Sequence, residues 1–299
     1  MTIKIVTDSA CDIPEHLVKE YGITVIPLYI NIGDKSLLDG IEITRDEFYT
    51  NLPNYPVNPT TAAPGPGMFQ KAYEKLAEEG ATEIISIHIS ISLSSTLDSA
   101  RAGAEQTQSI PVMVIDSHQL SLGAGFVVLA AAKAAKEGKS KEEVLQAIQD
   151  QISCTHVFAA LDTVDYLRRS GRMNTIVAGL ASLLQIKPIL KMYDGKPSAE
   201  RVRTEEKALL RLIQLVEDLG PLEHLSLVHT SAPEKAEKLR QRALHLFPEN
   251  STPLSVGVTP VLGAHLGPGV AGFAAISHCK PHPVSILEKV EHYLPFSGQ

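Results

Sequence analysis

Tryptophan is absent and aromatic residues make up only 5% of the 299-residue chain, which leaves little for stacking bases. Positive charge is also in short supply: 27 Lys and Arg face 34 Asp and Glu, for a formal net charge of −7. A nucleic-acid surface needs clustered cations against phosphate, so that class is excluded and solubility is favoured. Cysteine is scarce. Cys11, Cys154 and Cys279 share no metal-ligand spacing and have apolar neighbours, so buried free thiols in a reducing, cytoplasmic compartment are expected. No signal pattern precedes the first apolar run, where Lys4 is followed at once by Ile5, Val6 and then Asp8. The apolar stretch 120–135 is broken by Ser121 and Lys133 and reads as a buried helix, leaving at most transient membrane contact. A G-x-S-x-G elbow, a Walker motif and a kinase glycine loop are all missing, and His156, His229 and His245 show no paired-histidine metal spacing. No cofactor, bound ATP or metal is therefore expected.

What the chain does have is a normal globular balance, 44% hydrophobic and 20% charged, at a length that suits two domains. Short apolar, β-rich runs alternate with helical patterns. In the first half, residues 2–7, 23–32, 83–90 and 112–117 read as strands, and 14–21 as a helix with Pro14 near its start. Thr44 with Glu47 and Ser140 with Glu143 have capping-box spacing. This alternation implies a largely parallel sheet with helices on both faces. In the second half, strand runs at 157–161, 188–193, 200–203, 225–229, 254–258 and 272–277 alternate with amphipathic helices. Asp194-Gly195 reads as a tight hairpin turn, which adds antiparallel pairing. The expected fold is α/β in two domains. Residues 1–152 form a mostly parallel N-terminal domain, and 153–299 a mixed C-terminal one.

Ligands of parallel α/β sheets lie beyond the carboxyl ends of the strands, and small polar groups gather at four such places. These are Asp8-Ser9, the Pro-rich loop with Thr60-Thr61, the run from Ser90 to Ser99, and Asp116-Ser117-His118. Ser94-Ser95-Thr96 opens a helical pattern, and hydroxyls with free N–H groups at a helix start suit an anion, although Ser94 alone reads as an N-cap. His265 stands among Gly263, Gly267, Pro268 and Gly269, a composition that suggests a specially shaped backbone exposing the imidazole. Arg168 and Arg169 read as dipole-complementing residues at a helix C-terminus, with Arg172 beyond Gly171 free to fold back over a site. His88, on a continuous apolar run, reads as a satisfied core residue.

Together these segments resemble the DegV family, the FakB-type fatty-acid-binding proteins of bacteria, over nearly the whole chain. The resemblance rests on Val6-Thr7-Asp8-Ser9, Thr60-Thr61 with Pro64, Leu93-Ser94-Ser95-Thr96 and Tyr166-Leu167-Arg168-Arg169-Ser170-Gly171-Arg172. Ile186-Lys187-Pro188, Val202-Arg203-Thr204 and His265-Leu266-Gly267-Pro268-Gly269 complete it, in this order and spacing. The chain departs from the family in carrying Thr60-Thr61-Ala62-Ala63-Pro64 for the usual Thr-Ser-Gln-Pro, and Ser95 for a glycine.

The resemblance implies a binding subunit, not catalytic alone, that buries one long-chain fatty acid such as palmitate, stearate or oleate between its domains, with the acyl chain in the C-terminal one. It implies that the carboxylate meets Thr61, Ser94 and Ser95 with His265 and Arg172 nearby. A partner fatty acid kinase would then phosphorylate it for phospholipid synthesis, docking near Arg203. The stretch 175–190 is the candidate tunnel lining. Two other readings compete: a serine hydrolase using Ser94 or Ser95 with His265, and a small-ketone binder resembling the substrate domain of dihydroxyacetone kinase.

Overall fold

The computed structural model describes residues 2–173, 187–249 and 251–278. Strand β1 (Ile3–Asp8) pairs in parallel with β2 (Thr24–Ile26) and with β6 (Glu83–His88), and β6 pairs in parallel with β7 (Val112–Asp116). Alternation along β1 and β6 sends Ile3, Ile5, Ile85 and Ile87 to one face. There they pack with α1 (Glu15–Tyr21), α5 (Ser121–Lys136) and α6 (Lys141–Cys154). Val6 and Ile84 go to the other face, against α3 (Pro66–Glu78) and α4 (Thr96–Gln106). Helices cover both faces, as expected of a parallel sheet.

The expected single strand over residues 23–32 is two strands in different sheets. Pro27 follows β2 and has no N–H for the ladder, and Leu28 N donates to Ser9 Oγ at 3.2 Å. The chain then enters β3 (Tyr29–Ile32), which pairs antiparallel with β4 (Lys35–Leu38) and β5 (Thr60–Ala62) in a separate three-stranded sheet. That sheet packs with α2 (Arg45–Asn51) against Val261 and Ala264 of the second half. Thr44 caps α2 by accepting Glu47 N at 3.2 Å, and the reciprocal capping box is complete at Ser140 and Glu143.

The second half carries a six-stranded sheet of order β10-β9-β8-β13-β11-β12. Its strands are β8 (Thr155–Ala160), β9 (Lys187–Tyr193), β10 (Lys196–Val202), β11 (Leu222–His229), β12 (Ser255–Gly257) and β13 (Ala271–Ser277). All pairings are antiparallel except β11 with β12. The β9–β10 turn is Asp194-Gly195, with φ of 44° and 72°, a two-residue hairpin of the expected kind. Phe158 and Phe273 pack against α8 (Glu205–Glu217) and α9 (Pro233–Arg242). Val157, Ala159, Met192 and Ala274 face the other way, onto Ala10, Ile89, Leu122 and Phe126 of the first half. One apolar layer thus joins the halves. Residue 152 lies in the last turn of α6, and β8 starts at Thr155 with no linker. Cys11 is a buried free thiol, as expected. Cys154 is disulfide-bonded, which corrects the expectation of a free thiol there.

His88 is the satisfied core residue that its apolar run suggested. Tyr73 OH donates to Ser86 Oγ at 2.9 Å, Ser86 Oγ meets His88 Nε2 at 2.7 Å, and His88 Nδ1 meets Asp8 Oδ2 at 3.0 Å. Asp8 also accepts Ala10 N and Ile89 N, each at 3.0 Å. The Ser–His–Asp order is that of a hydrolase triad, but all three residues are fully buried and none lines a described cavity. It is a structural clamp between β1 and β6. Asp8→Ala strands several buried donors at once, each costing about 1–3 kcal/mol. Urea denaturation is expected to show a loss of roughly 3 kcal/mol or more with an unchanged m-value.

Candidate functional site

A cavity of about 400 Å³ is lined from both halves, and Thr61, Ser94, Ser95, Arg172 and His265 all line it. Sequence reasoning placed these five residues together from four separate stretches of chain. It missed Leu28, Ile89, Val261 and Leu262, which also line the wall, and named Ser99, a further lining residue, only as the end of the polar run from Ser90.

Three helices end here. Gly65, Ser95 and Leu120 are the N-caps of α3, α4 and α5; all three line the cavity, and none makes a side-chain cap bond. The first N–H groups of a helix have no intrahelical partner and carry the positive end of its dipole. Three such ends around one cavity favour an anion inside it. The expected N-cap Ser94 is one residue off: Ser95 is the cap, while Ser94 Oγ accepts Thr96 N at 3.3 Å and bonds Thr96 Oγ1 at 2.8 Å.

His265 departs from its expected surroundings. It is not exposed by an irregular loop but sits in the last turn of α10 (Pro260–Leu266), partly buried and facing Thr61. Helix α10 is held at both ends. Asp12 Oδ1 accepts Thr259 N at 2.7 Å while its Oδ2 takes the Ser121 hydroxyl at 2.5 Å. Burial pushes the Asp12 carboxyl up to about 6, although Arg45 opposes this. At the other end Gly267, at φ 74°, caps the helix where a Cβ would collide with the Tyr166 ring.

Burial lowers the His265 imidazole to about 4, with the Arg172 charge adding to the effect. The ring is therefore neutral at pH 7, with one protonated nitrogen. Nδ1 is buried and has no hydrogen-bond partner among the described residues. A proton there would be a stranded donor, a rarer and costlier state than a bare acceptor. The proton belongs on Nε2, which then donates to Thr61 Oγ1 at 2.9 Å. That leaves the Thr61 hydroxyl hydrogen free to donate into the cavity. Cationic character comes from Arg172 and the helix ends, not from the histidine. Neither Ser94 nor Ser95 has a hydrogen bond to His265 among those described, so the Ser–His pair of a hydrolase is not formed.

Leu93, Leu120 and Leu266 line both this cavity and a second, almost wholly apolar one that continues between the halves past Val157, Met192 and Val228. Leu190 is part of that second wall, whereas Lys187, Pro188 and Ile189 of the expected lining are not; residues 175–186 lie outside the described residues. Arg203 is exposed directly after the edge strand β10 and does not line the cavity. Among the described residues no helix is long and apolar enough to cross a membrane, and no cluster suits a metal ion.

Two sheets of this order, joined by an apolar layer with a polar cavity at its rim, define a two-part α/β binding fold. The chain belongs to the DegV family, whose model matches residues 2–278. A DegV domain-containing protein of Streptomyces coelicolor is 36% identical over 279 residues, covering 92% of this chain and 98% of that one. A DegV family protein from Thermus thermophilus, solved for its fatty acid binding, is 32% identical with a TM-score of 0.84, covering 93% of this chain and 100% of that one. DegV from Bacillus subtilis, described as a fatty acid binding protein, is 28% identical with the same TM-score and coverage.

The buried imidazole gives a direct check. The folded state holds fewer protons on His265 than the unfolded chain between about 4 and the ordinary 6.5. Its stability contribution is therefore full above that window and is lost as pH falls through it. NMR titration is expected to place the His265 midpoint near 4 and to show it rising in Arg172→Gln. A midpoint at 6.5 contradicts the burial.

Proposed function

We propose that this chain binds one long-chain fatty acid, with its carboxylate in the polar cavity and its acyl chain in the adjoining apolar one. The observation that carries the reading is the junction of the two cavities at Leu93, Leu120 and Leu266. One has hydroxyls, helix N-termini and an arginine; the other has almost no polar lining. A carboxylate buried without partners is costly. Here Thr61, Ser94 and Ser95 supply hydroxyl donors, Arg172 supplies charge, and His265 orients the Thr61 hydroxyl. Each buried methylene contributes about 0.8 kcal/mol, so a palmitate, stearate or oleate chain binds tightly once the head group is satisfied and the apolar cavity, about 60 Å³ as it stands, opens to take it. Solved relatives described as fatty acid binding support the same ligand class.

In this reading the chain is a binding subunit of the cytoplasm, not a catalyst on its own, and needs no cofactor. A division near residue 152 assigns the hydroxyl loops to the first domain and most of the acyl wall to the second. A separate fatty acid kinase phosphorylates the presented carboxylate and docks on a surface that includes Arg203. Its exposure beyond an edge strand supports that role.

Two experiments test the proposal. Denaturing mass spectrometry of protein from a bacterial host is expected to release a roughly stoichiometric fatty acid, and added palmitate is expected to raise Tm by mass action. Thr61→Ala and Ser94→Ala are each expected to weaken binding by about 1–3 kcal/mol. Extracts without fatty acid and no thermal shift refute the ligand. For docking, Arg203→Ala is expected to hold palmitate affinity within about twofold while lowering acyl-phosphate formation by a cognate kinase at least about tenfold. Equal losses in both assays move Arg203 into the pocket, and no loss in either removes it from docking.

A further inference from the structure

Beyond the cavity wall, one carboxylate gathers several distant strands of chain. Asp162 follows β8 and accepts Lys187 Nζ at 3.0 Å and Lys235 Nζ at 2.6 Å. Lys235 also donates to the Gly269 carbonyl at 3.2 Å. Gly269 stands four residues after His265, and the turn between them is tightly specified. Gly269 has φ 85°, and a Cβ there would collide with the Asp162 carboxylate. Its N–H donates to Thr230 O at 2.9 Å, and Val270 N to Thr230 Oγ1 at 2.9 Å.

The segment that carries Asp162 lies against this turn at two points, with the carboxylate beside Gly269 and the Tyr166 ring beside Gly267, where a Cβ would collide with each. The same segment then runs on to Arg172, whose N–H returns to Leu167 O at 3.1 Å. His265 and Arg172, on opposite arms, are therefore set by one short stretch. Asp162 itself lines a separate small pocket with Lys187, Lys235 and Gly269, which shares no residue with the head-group cavity.

The carboxylate and its two lysines are each about one-third exposed, at 35%, 31% and 33%. Ion pairs that open to water add little to stability. What the arrangement supplies is geometry: a charge-assisted chain of bonds ending on the carbonyl of the His265 turn, where a glycine makes room for it.

We propose that Asp162 is the positioning residue of the head-group site, fixing the His265–Thr61 pair through Lys235 and the Gly269 turn. The proposal rests on the fatty-acid reading for its binding assay but not for its spectroscopic one. Asp162→Asn is expected to melt within a few degrees of the wild type and to bind palmitate roughly tenfold more weakly. It is also expected to move the His265 ring resonances in the ligand-free protein.

The decisive arm is a double-mutant cycle. In a His265→Gln background the same Asp162→Asn change is expected to cost under about twofold, because its effect runs through the imidazole. Additive losses overturn the proposal, as do unmoved ring resonances. Lys235→Met cuts the chain of bonds at its other end and must reproduce both effects; it decides the matter if Asp162→Asn does not fold. Wild-type protein that takes no palmitate refutes the lipid reading, while the ring resonances of the two variants still decide the role of Asp162.

Discussion

The N-termini of α3, α4 and α5 reach one cavity through their N-cap residues Gly65, Ser95 and Leu120, none of which makes a side-chain cap bond, although Ser94 Oγ accepts the first N–H of α4. Orphan N–H groups are normally satisfied by a neighbouring hydroxyl or carboxylate. The chain can supply such caps, as the Ser140–Glu143 box on α6 shows. Three helix N-termini gathered at a single place favour an anion there. The rest of the site follows from it. The parallel sheet brings the helix ends to its carboxyl edge, the three-stranded sheet carries Thr61 to the same rim, and α10 brings His265 across from the second half.

That arrangement also explains why the histidine is neutral. Burial lowers the proton affinity of the ring most, and the Arg172 charge beside it adds to the effect. A neutral ring donating to Thr61 fixes one hydroxyl in the orientation a carboxylate needs, without adding a charge that must be desolvated. The apolar layer between the halves serves two purposes. It joins the sheets through Ile89, Leu122, Val157 and Ala274, and between those contacts it leaves the apolar cavity that adjoins the polar one.

Much of this was legible from the residues. Apolar runs located the strands of both large sheets to within a few positions, because a buried strand has to be continuously apolar or alternate cleanly. Asp194-Gly195 announced its hairpin, since both residues tolerate positive φ. The resemblance to the DegV family, carried by the order and spacing of these segments, implied that Thr61, Ser94, Ser95, Arg172 and His265 share one site. What escaped was set by contacts distant in sequence. The central strand of the three-stranded sheet, β3, was hidden inside the run 23–32, which the missing N–H of Pro27 and the Leu28 bond to Ser9 divide, and β4 and β5 carried no strand reading of their own. The glycines around His265 suggested an exposed loop, whereas they accommodate Tyr166 and Asp162 beside a helix end. Asp162 carried no local signal at all, because its partners lie 25, 73 and 107 residues away in Lys187, Lys235 and Gly269.

The central claim is that the cavity recognises a carboxylate and not merely a long apolar chain. Titrating the delipidated protein with palmitate and with hexadecanol separates the two, because the alcohol keeps the chain and removes the charge. The account predicts that palmitate binds at least about tenfold more tightly, as charge-assisted bonds to buried donors require. Equal affinities for the acid and the alcohol would contradict it.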